Sequence, residues 1–207
     1  MFWAIAVTVA CSKDAPETPP ASSSAPVPAA AAATPASIGT VIGHGPRPGP
    51  GAQVVVVLEP DTLRSFPPQT EVPVMDQVGL TFGPDLLLVR TGQPVEFRNS
   101  DDTLHNVHVS HEETREAAFN VAIPTGNSYR YTFARDGFYR VGCDIHPAMA
   151  ASIFAASTPY ATLAEGDGRF SIADVTAGAY TVTVYAGGRR LQQGVDVKGG
   201  VTEVTLQ

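Results

Sequence analysis

Cysteine is scarce in this chain. Its 207 residues hold 2 cysteines, beside 5 histidines and 3 methionines. At most one internal disulfide is possible. Basic charge is also short: 13 Lys and Arg stand against 20 Asp and Glu, for a net charge of -7. A nucleic-acid partner needs a basic face, so none is expected. No apolar run reaches the roughly 20 residues that cross a bilayer as a helix. Helical periodicity is nearly missing too. "HEETREAAFN" (111–120) is the one stretch that reads as a helix, or else as a loop with a turn. What the chain has instead is 19 Gly and 18 Pro, a turn-rich composition suited to β structure.

The chain opens "MFWAIAVTVACSKD", with ten mostly apolar residues before Cys11. This suits the apolar core of an export signal, although a basic start is missing. Small residues before Cys11 resemble a bacterial lipoprotein signal over residues 1–11, with Thr8 where a Leu is usual. Lipidation of Cys11 would then anchor the protein to the cell envelope membrane on the periplasmic side. The other reading is a plain secretory signal with an incidental cysteine. Residues 12–37 are Ala, Pro, Ser and Thr with almost no large apolar side chain, so a disordered tether is expected. A lipidated Cys11 cannot form a disulfide and leaves Cys143 as a lone thiol. An unpaired thiol in an exported protein needs a reason, and a bound metal is one.

Beyond the tether, period-two patterns dominate. "AQVVVVLE" (52–59) is a β-branched run, and "DLLLVRTGQPVEFRN" (85–99) reads as strand, Gly turn, strand. "HNVHVS" (105–110), "SYRYTFA" (128–134) and "GFYRVGC" (137–143) follow, with further short strands to the C-terminus. Short strands between turns predict all-β sandwiches. In "GFYRVGC" the alternation sets Tyr139, Val141 and Cys143 on the inward face and Arg140 on the outward one.

"YRVGCDIHPAMAAS" (139–152) places Cys143, His146 and Met149 at equal three-residue steps. A thiolate, an imidazole and a thioether together favour copper, whose electron-transfer sites add a second imidazole. His105, at the start of a strand after a turn-rich stretch, offers it. Taken singly, a buried Cys or Met is ordinary core packing. Nucleophilic Cys–His catalysis would need an orienting third residue and an oxyanion hole, and no such pattern is readable.

Residues 71–156 resemble the cupredoxin family of small blue-copper proteins. "GLTFGPDLLLVRTGQPVEFRNSDDTLHNVHV" (79–109) is similar to the F-x-P, V-x-x-G, V-x-F-x-N and H-N-V series of plastocyanin. The Cys-x2-His-x2-Met loop has the length found in amicyanin, with Pro147 directly after the His. The resemblance implies a Greek-key β-sandwich holding one type 1 copper ion on His105, Cys143, His146 and Met149. It implies that the Asn106 backbone N–H bonds the thiolate and that its side chain ties the two ligand segments. Ile145 stands where plastocyanin and amicyanin have proline. It keeps an N–H, and a second N–H to sulfur bond that lowers the potential is expected from it. His108 and His111 are expected to be exposed strand histidines, with a second metal site beside Glu112 and Glu113 as the other reading. His44 lies in a Gly/Pro loop and carries no signal.

"GDGRFSIADVTAGAYTVTVYAGG" (166–188) resembles the carboxypeptidase regulatory-like, transthyretin-like β-domain. Asp167–Gly168 and Gly178 are expected to make hairpin turns, and Phe170, Ile172, Tyr180, Val182 and Val184 an inward row. The opening of that family stands upstream, in 39–59. A split domain of 38–60 plus 158–207 is expected, with the cupredoxin inserted. The alternative is a tandem order in which "AQVVVVLE" starts the cupredoxin. Such pairings of domains resemble bacterial methylamine-utilisation-type proteins.

The resemblance implies a monomeric periplasmic electron carrier and no catalysis. Its expected partner is a redox protein of cytochrome or dehydrogenase type, and it meets the membrane only through the lipid anchor. The alternative is copper storage, delivery or sensing at the envelope. Five histidines are too few for a multicopper oxidase.

Overall fold

A computed structural model describes residues 37–206; Cys11, its apolar leader and nearly all of the tether lie outside them. Sixteen strands occur among the described residues, and no helix. β1 (Ile38–His44) and β2 (Val54–Pro60) come first. β3 (Val74–Val78), β4 (Thr81–Gly83), β5 (Leu86–Arg90) and β6 (Pro94–Asn99) follow. Next are β7 (His105–His111), β8 (Ala117–Ile123), β9 (Ser128–Thr132), β10 (Gly137–Gly142) and β11 (Ala150–Ala156). β12 (Ala161–Leu163), β13 (Arg169–Thr176), β14 (Gly178–Ala186), β15 (Arg189–Val197) and β16 (Gly200–Thr205) end the chain.

Two β-sandwiches result. The first pairs the sheet β5-β11-β10-β7-β8 with the sheet β4-β3-β6-β9. Its core holds Met75, Phe82, Phe97, Phe133, Ile153 and the inward residues of β7 and β10. Inward Tyr139, Val141 and Cys143 are buried, and Arg140 is exposed. The Gly92 turn between β5 and β6 crosses from one sheet to the other. The second sandwich pairs β13-β1-β16 with β12-β2-β14-β15. β2 runs antiparallel to β14 from Val54 to Pro60, and β1 lies between β13 and β16. This sandwich therefore takes strands from both sides of 74–156. Phe170, Ile172, Tyr180, Val182 and Val184 are all buried within it.

The run Val54–Val57 is buried without alternation. Both faces of β2 are covered, as in strands enclosed by two layers. Val54 and Val56 enter the second core. Val55 and Val57 enter a third cluster with Leu86, Phe154 and Ala156, which joins the two sandwiches. Phe138, Phe154 and Tyr185 close it as a triangle of rings, with centroids 4.7, 5.2 and 5.4 Å apart.

Two sequence expectations need correction. Residues 111–120 are not a helix: β7 ends at His111, a turn follows, and β8 returns antiparallel. Phe119 and Val121 pair with Val109 and Val107, so core packing on β7 overrides the helix-forming Glu and Ala of this stretch. Asp167–Gly168 and Gly178 do not join paired strands. β12, β13 and β14 alternate between sheets, so these turns arch over the core. Phe138, on the outward parity, is partly buried because the second sandwich covers that face.

Glu96 on β6 receives hydrogen bonds from Arg98 (2.9 Å) and from Arg130 on β9 (2.9 and 3.0 Å). Arg98 first, then Arg130, holds its carboxyl below the usual carboxylate range. A depressed folded pKa contributes stability above the unfolded value, and that stability is lost as pH falls through the folded value. Glu96→Gln is therefore expected to lower the thermal midpoint near neutral pH, with the gap to the parent closing in acid. Melting curves across that range check it; a gap independent of pH contradicts it.

Candidate metal centre

The site forms where two chain segments meet at one end of the first sandwich. β7 and β10 are antiparallel neighbours, with Val109 opposite Val141 and His108 opposite Gly142. The start of β7 and the end of β10 are thus adjacent, which puts His105 beside Cys143. β10 and β11 are also paired, so residues 143–149 are a closed loop between two adjacent strands. The Met149 N–H donates to the His146 carbonyl at 2.9 Å and folds that loop back on itself.

His105, Cys143 and His146 are brought together. They form a potential three-donor metal site among the described residues. His105 Nδ1 and His146 Nδ1 lie 3.0 Å apart, and Cys143 Sγ lies 3.9 Å from each. In a triangle with those sides the point equidistant from all three donors is about 2.1 Å from each, within the ~2.0–2.3 Å of metal–nitrogen and metal–sulfur bonds. The donor set fits a copper ion without rearrangement. His105 is 0 % exposed and Cys143 is 4 % exposed, while His146 is half-buried at the edge. Met149 is buried, and it lines a shallow surface crevice together with Cys143.

Protonation is dictated by neighbours. His105 Nε2 is 2.8 Å from an Asp101 carboxylate oxygen. An ionised carboxylate only accepts, so Nε2 carries the hydrogen and Nδ1 is left bare toward Cys143 and His146. The Asp101 carboxylate also accepts the Gly79 N–H at 2.6 Å and the Leu80 N–H at 3.0 Å. The Leu80 N–H first, then the His105 ring, holds this carboxyl below its usual range. Asp101 was not read from the sequence. The only signal is an acidic residue four positions before His105, and Asp102 beside it is an equal candidate.

Asn106 ties the segments together. Its Oδ1 accepts the Asp144 N–H at 2.7 Å, the Ile145 N–H at 3.4 Å and the Cys143 S–H at 3.2 Å. Its Nδ2 donates to Asn120 Oδ1 at 2.8 Å and to Asp144 Oδ2 at 2.9 Å. Buried Gln77 donates to the Asn106 carbonyl at 3.2 Å. Hydrogen bonds from His108, then from Asn120 and Asn106, hold the exposed Asp144 carboxyl below its usual range.

Two readings of this region change. The Ile145 N–H is aimed at Asn106 Oδ1 rather than at sulfur, because the amide oxygen sits between the loop backbone and the thiol. His111 is buried, with its ring edge-on to Tyr139 at 4.9 Å and its Nδ1 accepting the Thr114 N–H at 3.2 Å. It shares inward parity with His105, which explains the burial. His108 is partly exposed and bonds Asp144 at 3.1 Å. No second cluster of three metal donors occurs among the described residues. Pro147 is exposed beside His146.

Residues 69–154 match the family model of copper binding proteins, the plastocyanin/azurin family. Residues 147–205 match the model of polysaccharide lyase family 4, domain II. That second match begins inside the ligand loop and includes β11, which belongs to the first sandwich, and it omits β1 and β2. No curated protein matches the chain. Solved structures similar to it include a methionine mutant of amicyanin in its Cu(I) form, 26% identical, with 41% of this chain and 82% of that one covered and a TM-score of 0.38. A proline mutant of amicyanin in the oxidized state is 27% identical over the same shares, also at 0.38. A Cu-containing nitrite reductase from Thermus scotoductus SA-01 is 27% identical, covering 48% of this chain and 26% of that one, at 0.39. The match to the copper-binding family model falls on the first sandwich, the one that carries His105, Cys143 and His146.

Proposed function

We propose that the chain is a periplasmic type 1 copper protein that passes single electrons between redox partners. The observation that carries this reading is the largely buried triangle of one thiol and two imidazole Nδ1 atoms, already spaced for one ion. Met149, buried and three residues beyond His146, is the natural weak fourth donor. A bound copper would supply a one-electron couple. The protein's part is to hold the donors still and keep water out. His105 is fixed by Asp101, Cys143 is seated at the end of β10, and the loop is pinned by Asn106. Little then needs to move when the charge changes.

Four protein donors leave no open position for a substrate, which favours transfer over catalysis. The partly exposed His146 edge is the exit. Exposed Ile145, Pro147 and Ala148 flank it, and Leu104 beside His105 adds to the apolar surface. A small apolar face suits brief docking of a cytochrome- or dehydrogenase-type partner by a monomer. Anchorage through a lipid on Cys11 would keep this face near membrane-bound partners. We read 38–60 and 158–207 as a carboxypeptidase regulatory-like, transthyretin-like domain, on the strength of the β1–β13 and β2–β14 pairings.

Loading the purified protein with Cu(II) tests the function. An intense visible thiolate charge-transfer band, an EPR spectrum of narrow copper hyperfine splitting, and fast reversible one-electron reduction are expected. A colourless protein that hands Cu(I) to an acceptor would overturn electron transfer in favour of copper storage or delivery.

A further inference from the structure

The Asp101 contact is built rather than incidental. Its side chain is only 13 % exposed and meets a fully buried ring. Its carboxylate is cradled by the turn between β3 and β4, where Gly79 and Leu80 adopt successive left-handed conformations with φ of 62° and 59°. The two successive N–H groups of this turn converge on the carboxylate as a small anion-binding concavity. A leucine side chain disfavours this conformation, so the turn is held against a local preference. Asp101's own N–H donates to Asn99 Oδ1 at 3.0 Å. Asn99 is fully buried and clamped to the Thr103 and Ile123 carbonyls at 2.9 and 2.8 Å. The carboxylate is thus held through both of its oxygens and through its own backbone.

We propose that Asp101 is the positioning residue of the metal centre: it locks His105 in the Nε2–H form with Nδ1 bare toward Cys143 and His146, and sets a fixed negative charge one ring away from the ion. The inference rests on the copper reading for its second half only. The first half concerns the metal-free chain. A negative charge at this place favours the more highly charged metal state, so it stabilises Cu(II) over Cu(I).

The test uses Asp101→Ala and Asp101→Asn in the full chain. Nitrogen-15 NMR of the metal-free parent should show His105 as the Nε2–H tautomer. Asp101→Ala should lose that signature, and Asp101→Asn, whose amide oxygen can still accept from Nε2–H, should keep it. With copper, Asp101→Ala should weaken Cu(II) binding by about 10–100-fold. Cu(I) binding should weaken less, and each tenfold difference raises the midpoint by about 59 mV. Asp101→Asn should raise the midpoint while preserving the tautomer, a separation that a merely structural role would not produce. Should Asp101→Ala fail to fold, Asp101→Asn still decides through its midpoint. An unchanged tautomer in Asp101→Ala, or an unchanged midpoint in Asp101→Asn, overturns the proposal. Failure of the copper reading would show separately, as a parent protein without the thiolate band.

Discussion

Cys143→Ser is expected to erase the visible band and the reversible couple while leaving the fold nearly untouched. The thiolate is the only soft anionic donor in the triangle, and the band is a sulfur-to-copper transition, so a hydroxyl cannot replace it. If the site is as strong as a structural zinc centre, on the order of 10–16 kcal/mol, losing one donor of about four costs about 3 kcal/mol, more than a hundredfold in affinity. Stability without metal should change by less than about 1 kcal/mol. The serine O–H can donate to Asn106 Oδ1, which already accepts the thiol at 3.2 Å. Copper titration, absorption and voltammetry read the first effect, and melting of the metal-free protein reads the second. A variant that keeps the intense band would remove Cys143 from the centre. A metal-free variant that melts many degrees lower would mean that the thiol is core packing first.

What was legible in the sequence follows from period-two geometry. Cys143 shares a face with buried Tyr139 and Val141, so its inward placement can be read from "GFYRVGC" alone. His105 reads inward by the same parity with Val107 and Val109. The all-β class is visible because turns punctuate runs too short for helices. What was not legible depends on partners distant in the chain. Whether Asp101 or Asp102 meets His105 is decided by the β3–β4 turn, more than twenty residues upstream. The arches at Gly168 and Gly178 read locally as hairpins, since nothing in a turn states which sheet the next strand joins. The helix-like stretch 111–120 is overruled by β7, whose core positions take Phe119 and Val121 as partners. Val54–Val57 reveals two-sided burial, but not that one side is the second core and the other the junction between sandwiches.

Asn106→Ala is expected to weaken the centre from outside the donor triangle. The side chain stands next to His105 and makes hydrogen bonds to the loop that carries the other donors: Asp144 and Ile145 N–H groups end on its oxygen, and its amide nitrogen reaches Asp144 and, on β8, Asn120. Asn106 is itself 6 % exposed, so an alanine leaves the Asp144 N–H without its acceptor in a pocket largely closed to water. An orphaned group of this kind costs about 1–3 kcal/mol, and the cavity adds to it, so a loss of about 3 kcal/mol in the metal-free protein is expected. The functional loss comes from geometry. The 143–149 loop carries Cys143 and His146, and without its tether the 3.9 Å spacings to sulfur are no longer enforced. Copper must then order the loop as it binds, and retention should fall by about 10–100-fold, the range for partners that orient metal ligands. Asn106→Asp separates the two effects, because a carboxylate oxygen can still accept the Asp144 N–H while the amide donor is lost beside an acidic neighbour. Copper retention close to that of the parent in Asn106→Ala would mean that the loop holds its shape through the Met149–His146 turn alone.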